Sequence, residues 1–208
     1  AAAMLILCLP LLGALWWLVG RDSPGPFLFW QSRPGLGGEL IRVCKIRTMT
    51  VGADRKRTNG LGVTREHPDV TAVGRWLRAL KLDEIPQLWN VVRGEMELVG
   101  PRPIAEALVD LLAEEIPDFE HRFRAKPGLT SVGQILIVEN EVGSELVADW
   151  RRRHEADIHL LGNRSAAYDL VVIGLTAAYL VRGLAREIGK KFERTATLRT
   201  RAAGFRSS

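Results

Sequence analysis

Asp83 and Glu84 are the residues whose type and placing most suggest chemistry. They sit in residues 81–90, KLDEIPQLWN, directly before a proline suited to the first turn of a helix. Free backbone N–H groups and the positive end of the helix dipole favour negative charge there. Such a pair often does no more than cap a helix. Here, though, Arg75 and Arg78 precede it at helical spacing, and Arg102 follows in a Pro-Arg-Pro turn whose fixed dihedrals restrict where its guanidinium can point. Arginines held in this way make bidentate contacts to phosphate. The chain has no phosphate-cradling GxxxxGK motif. Carboxylates and arginines without that loop imply a phosphoryl centre handled by a carboxylate and a divalent ion. Magnesium, bound through one or two carboxylates and substrate phosphates, suits this role. A carboxylate can also be the nucleophile, forming an acyl-phosphate that divides one difficult transfer into two easier ones.

The elements that must position these residues are legible in outline. The chain has 208 residues, 47% hydrophobic and 25% charged, a composition that excludes disorder, a collagen-like repeat and a polytopic membrane protein. Its length suits one domain or slightly more. Residues 1–20 carry no charge, and about 18 such residues is the usual threshold for suspecting a membrane helix. A cleaved signal peptide would need a basic start and a small-residue cleavage site, neither of which is visible. Pro10 interrupts the segment, so a spanning helix and a helix broken at Pro10 that enters and leaves by one face both remain open. Trp16, Trp17 and Trp30 are candidate interface anchors or core residues.

Residues 27–30 and 39–46 read as strands around a Gly-rich turn, residues 70–80 and 86–92 as helices, and 104–124 as a surface-facing helix. Residues 129–138 read as a strand, 145–159 as a charged helix, and 165–188 as a long helix with a 12-residue uncharged stretch at 170–181, suited to a membrane interface or a core. The ending after Lys190 reads as a basic, frayed tail. Cys8 and Cys44 form neither a disulfide framework nor a zinc motif, which favours a reduced, cytoplasmic setting. His154 and His159 are five apart, off the spacing of one helix face, and Arg151 to Arg153 read as a solvated face or a membrane-surface contact. Residues 149–208 carry a net charge of +6 and the rest −1. With the apolar start, this basic excess favours an anionic leaflet over nucleic acid.

The segments DSPGPFLFWQSRPG (22–35), KIRTM (45–49), VGRWLRALKLDEIPQLWNVVRGEMELVGPRP (73–103) and KPGLTSVGQ (126–134) resemble, in order and spacing, the bacterial sugar transferase family. The resemblance runs from about residue 4 to about residue 180. Members of that family move a sugar-1-phosphate from a UDP-sugar onto a polyprenyl phosphate, undecaprenyl phosphate in bacteria, and release UMP. The resemblance implies that Asp83 is the nucleophile and magnesium ligand, Glu84 its dyad partner, and Lys45 and Asp157 further active-site residues. Arg78, Arg102, Arg75 and Arg47 are the implied phosphate-contacting or site-shaping positions.

It also implies a mixed α/β fold. A proline-broken re-entrant helix (1–20) anchors a catalytic domain (21–189) on the cytoplasmic face of the bacterial inner membrane. Amphipathic interfacial helices support it, a basic flexible tail (190–208) follows, and a homodimer is possible. The chain departs from the family at Leu9, where relatives have serine before the proline, and in the lack of basic residues leading into that helix. It departs again at residues 135–142 (ILIVENEV), which lack the arginine of an Asn-Gly-Arg turn that touches the nucleotide-sugar in relatives. The competing expectation is a catalytically silent relative acting as a membrane scaffold. Retention of Asp83, Glu84, Lys45 and Asp157 together weighs against it.

Overall fold

A computed structural model describes residues 1–53, 66–136 and 145–204. Its first element, α1 (Ala2–Asp22), is assigned as helix without interruption across Pro10. The helix ends at Ser23, which turns to extended backbone, and Pro24-Gly25-Pro26 prevents it from continuing. Strands β1 (Leu28–Pro34) and β2 (Leu40–Ile46) follow as an antiparallel hairpin, with Leu28 opposite Ile46 and Pro34 opposite Leu40. This is the expected pair, with β1 starting one residue later and extending further.

The free edge of β2 is satisfied by a side chain. Asn90 is fully buried on α3 (Gln87–Val92); its amide accepts from the Cys44 N–H at 3.0 Å and donates to the Arg42 carbonyl at 2.7 Å. It thus supplies the bonds a third strand would otherwise make. Helix α2 (Ala72–Ala79) begins with the Thr71 hydroxyl accepting from the Gly74 N–H at 3.0 Å. Gly74 lies so close to β2's exit that a Cβ there would overlap the Thr48 carbonyl.

The second half of α1 is packed on this layer. Leu15 and Val19 are buried with Ile46 and Leu77, and Leu12, Phe27, Val73 and Leu82 pack around them. In the first half Ile6, Leu7 and Leu9 are exposed. In the second half one face, with Leu15 and Val19, is packed, while Trp16, Trp17 and Leu18 on the other remain exposed.

Beyond α3 the chain forms β3 (Glu97–Val99), α4 (Glu106–Glu115), a 3-10 turn at Phe119–Arg124, β4 (Gly128–Thr130) and α5 (Val132–Leu136). Strands β3 and β4 pair in parallel, Glu97 with Gly128 and Val99 with Thr130. Helices α6 (Leu146–Gly162) and α7 (Ala166–Gly204) complete the described chain. A cluster of Ile104, Leu108, Leu112, Ile116, Phe119, Leu146 and Trp150 ties α4 to α6, and Val99, Leu160 and Val172 tie β3 to α6 and α7.

Several expectations are corrected here. Residues 104–124 are not one surface helix. Ile116 leaves helical geometry before Pro117, Asp118 takes a positive φ of 58°, and Leu108, Leu112, Phe119 and Arg122 are buried. The strand read at 129–138 ends at Thr130, and α5 begins two residues later. An apolar run of this length fits a strand or a short helix, and its residues 137 and 138 lie outside the described residues. The tail read as frayed is helical to Gly204. Arg153 of the Arg151–Arg153 run is buried against Trp150, whereas Arg151 and Arg152 are exposed.

Among the described residues two helices are long and apolar enough to cross a membrane by length and composition: Ala2–Asp22, with mean hydropathy 2.3, and Ala166–Glu187, with 1.4. The apolar side chains of the second, among them Leu170, Val171 and Val181, are largely uncovered.

Candidate active site

The Asp83–Glu84 pair is delivered by a sharp change of direction. After α2, Lys81 adopts left-handed backbone (φ 56°), a conformation costly for a residue with a Cβ, and the chain enters a 3-10 turn at Leu82–Glu84. Leu82 packs on the α1 layer and both carboxylates are turned inward, Asp83 to 8% exposure and Glu84 to 7%. Pro86 caps α3 behind them, as its sequence position predicts.

Glu84 is clamped. Arg102 reaches it with both terminal nitrogens, Nη2 to Oε1 at 3.1 Å and Nη1 to Oε2 at 3.5 Å, and Lys45 Nζ lies 3.5 Å from Oε1. Burial alone would push the Glu84 carboxyl up. Arg102, Lys45 and Lys81 outweigh it and hold Glu84 well below the usual carboxylate range. Asp83 is the opposite case. Burial and the adjacent Glu84 charge push its carboxyl up, against the pull of Lys45, Lys81 and Arg78. Its Oδ1 is buried and has no hydrogen-bond partner among the described residues. One carboxylate is thus a fixed charge, and the other keeps an uncommitted oxygen.

The elements around the pair set the cations. Lys45 stands on β2, and burial pulls its ammonium pKa down against the raising effect of Glu84. Arg78 is held by the β2 exit, its Nε donating to Thr48 Oγ1 at 2.9 Å. Arg102 is placed by the β3–β4 pair. Gly100 N–H donates to the Thr130 carbonyl at 3.0 Å, and Gly128 N–H to the Pro101 carbonyl at 2.9 Å. Gly100 and Gly128 approach so closely that a Cβ on either would meet the other's backbone.

Sequence reasoning placed other residues near the chemistry that the structure sends elsewhere. Arg47 is buried and turned toward the end of α1, with Nε on the Pro26 carbonyl at 2.6 Å, Nη1 on Ser23 Oγ at 2.8 Å and Nη2 on the Ser23 carbonyl at 2.7 Å. Arg75 is exposed and donates to the Val70 carbonyl at 3.1 Å. Asp157, on α6, is buried and pairs with Arg122 Nη2 at 3.3 Å. Burial pushes the Asp157 carboxyl up against the pull of Arg122, Arg153 and Ser131. Residues 137–142 of the stretch that lacks the family's arginine lie outside the described residues.

Arg122 is the residue the sequence reading missed. It was absorbed into a supposed surface helix, although Pro117 one turn before the aromatic-basic run FEHRFR was a signal that this helix could not continue. Among the described residues no group of three or more His, Cys, Asp or Glu could hold a metal ion. The buried, uncommitted Asp83 oxygen does suit a hard divalent cation that takes one carboxylate from the protein and its other ligands from phosphate and water.

Comparisons with known proteins identify relatives of the chain. Over 184 residues the chain is 41% identical to the UDP-glucose:undecaprenyl-phosphate glucose-1-phosphate transferase of Caulobacter vibrioides, covering 87% of this chain and 66% of the relative. It is 32% identical over 175 residues to the UDP-N-acetylgalactosamine-undecaprenyl-phosphate N-acetylgalactosaminephosphotransferase of Aeromonas hydrophila, covering 84% of this chain and 40% of that protein. An exopolysaccharide production protein, PSS, of Rhizobium leguminosarum is 34% identical, with 88% of this chain matched to 91% of the relative. The chain thus spans from a third to two thirds of the length of the Caulobacter and Komagataeibacter xylinus relatives it matches. The family model described as bacterial sugar transferase matches residues 1–183, and the chain belongs to that family.

Proposed function

We propose that this protein is an enzyme that transfers a sugar-1-phosphate from a UDP-sugar to a polyprenyl phosphate at a membrane surface. The observation that carries the reading is the division of labour in the buried pair: Glu84 locked by Arg102 and Lys45, and Asp83 beside it with a free oxygen.

In the first step an Asp83 oxygen attacks the β-phosphorus of the donor. The bond from that phosphorus to the bridging oxygen breaks, and UMP leaves with the bridging oxygen and its electron pair, so that the phosphosugar is held as an aspartyl-phosphate. In the second step a phosphate oxygen of the polyprenyl acceptor attacks the same phosphorus, the acyl-phosphate bond breaks, and the Asp83 carboxylate is restored. Glu84 assists this second attack, with its charge fixed by Arg102 and Lys45. Arg78 and Lys81, which favour the charged form of Asp83, face the incoming anions. Magnesium held by Asp83 and the donor phosphates would offset the repulsion between carboxylate and diphosphate.

The uncovered apolar residues of α1, with Trp16 and Trp17 exposed at 62% and 53%, support a membrane-bound setting. In this reading α1 enters and leaves by the cytoplasmic face, and the packing of Leu15 and Val19 on the domain supports attachment of its second half there. Exposed Trp76 and Trp89 and the apolar stretch of α7 supply further interfacial surface. Family relatives named for glucose and for N-acetylgalactosamine leave the donor sugar to experiment.

The test is UMP release by the full chain in detergent, with magnesium and undecaprenyl phosphate, across a panel of UDP-sugars. Release with one or a few donors and none from Asp83→Asn is expected. Undiminished release by Asp83→Asn, or silence across the panel from folded protein, would overturn the reading.

A further inference from the structure

The site is fixed on one side by a residue that never reaches it. Arg122 is among the most deeply buried side chains, 2% exposed, with its guanidinium 4.8 Å from the Phe119 ring centre and 5.4 Å from that of Trp150. Its Nη2 donates to two acceptors, the Arg102 carbonyl at 2.8 Å and Asp157 Oδ2 at 3.3 Å. The cavity lined by Arg102, Arg122, Pro101 and Pro127 has a volume of about 10 Å³. That is room for no more than a water molecule. Arg122 and Asp157 are each 2% exposed, so neither presents its side chain at the surface among the described residues.

What they do reach is the peptide that carries Arg102. The carbonyl before that residue, on Pro101, is held by the Gly128 N–H, and the carbonyl of Arg102 itself by Arg122. With prolines on both sides fixing φ, two anchored carbonyls leave the Arg102 backbone a single orientation. That orientation is what allows the two-point contact with Glu84. We infer that Arg122 is a positioning residue for Arg102, and that Asp157 acts on the reaction through Arg122 rather than by contact with substrate. This rests on the proposed transfer reaction and adds a chain from Asp157 through Arg122 and Arg102 to Glu84. A misplacement of about 1 Å at a site group can cost on the order of 10²-fold in rate.

The test compares Arg122→Lys, which keeps the charge but loses the fork, with Arg122→Met and Asp157→Asn, in the full chain. Folding is checked by thermal unfolding. Two readouts are taken: kcat and donor KM, and the 15N–1H NMR signal of the Arg102 guanidinium, which reports its two-point contact with Glu84. Folded Arg122→Lys should lose kcat on the order of 10²-fold with donor KM near the parent value. Its Arg102 guanidinium signal should shift from that of the parent, because Arg102 no longer presents two nitrogens to Glu84. In an Arg102→Met background the same substitution should cause no further loss of kcat.

Unchanged kcat in folded Arg122→Lys, an equal additional loss in the Arg102→Met background, or an unmoved Arg102 guanidinium signal would each overturn the inference. Failure of the parent protein to release UMP would overturn the transfer reading instead, and the Arg102 signal would still decide the role of Arg122.

Discussion

Arg47 and Arg122 are both buried arginines, yet they hold different parts of the molecule in different ways. Arg47 spends its guanidinium on neutral acceptors in the connection after α1: the Ser23 hydroxyl and carbonyl and the Pro26 carbonyl. Arg122 shares a nitrogen between one carbonyl and one buried carboxylate, Asp157. The first clamp fastens a membrane-directed helix to the hairpin, and the second fastens the peptide of a site residue. Burial lowers the pKa of both guanidiniums, with Asp22 opposing at Arg47 and Asp157 at Arg122. A clamp of several neutral bonds near an edge can exchange one for water, whereas a sealed ion pair has no substitute partner. The anchor clamp should therefore fail gradually and the site clamp abruptly.

Breaking the sealed pair gives the largest expected effect on stability. Asp157→Ala leaves the Arg122 charge buried and should cost about 3–5 kcal/mol, seen in denaturant unfolding. A loss under about 1 kcal/mol would mean that water already serves Arg122, and would erase the contrast. Arg47→Met should cost less, about 1–3 kcal/mol, because the released carbonyls lie beside the surface-exposed Pro24 and Gly25. Its diagnostic effect is a split: turnover in bilayers should fall more than turnover in detergent, since the clamp sets the angle between α1 and the domain. An equal fall in both would place Arg47 in the chemistry instead. The smallest effect is expected at Asp22, whose Oδ2 accepts from the Val73 N–H at 2.8 Å and so joins the last turn of α1 to the first of α2. Asp22→Ala should cost about 1 kcal/mol, measurable as a small fall in the unfolding midpoint.

The site was more legible than the scaffold that holds it. Asp83, Glu84 and Arg102 could be singled out because Pro86 and the Pro-Arg-Pro turn restrict the backbone locally, and the fold keeps those restrictions. The hairpin and α2 followed from alternation and helical spacing for the same reason. Arg47 is named for phosphate contact rather than for its clamp, and Arg122 is not named at all, because nothing local distinguishes a buried arginine from a solvated one; each makes bonds to acceptors about 20 residues away or more. Asn90 escaped likewise, since its bonds reach 46 and 48 residues back to β2. Residues 129–138 misled because an apolar run of that length fits a strand or a short buried helix equally well, and Gly133, packed against Arg153, is what lets α5 lie close to α6.

The most direct test of the central claim is the intact mass of the full chain mixed with its UDP-sugar and magnesium in the absence of acceptor. The account predicts an adduct of one phosphosugar, mapped to Asp83, absent from Asp83→Asn and discharged when polyprenyl phosphate is added. An active protein that forms no adduct, or an adduct that persists in Asp83→Asn, would contradict it.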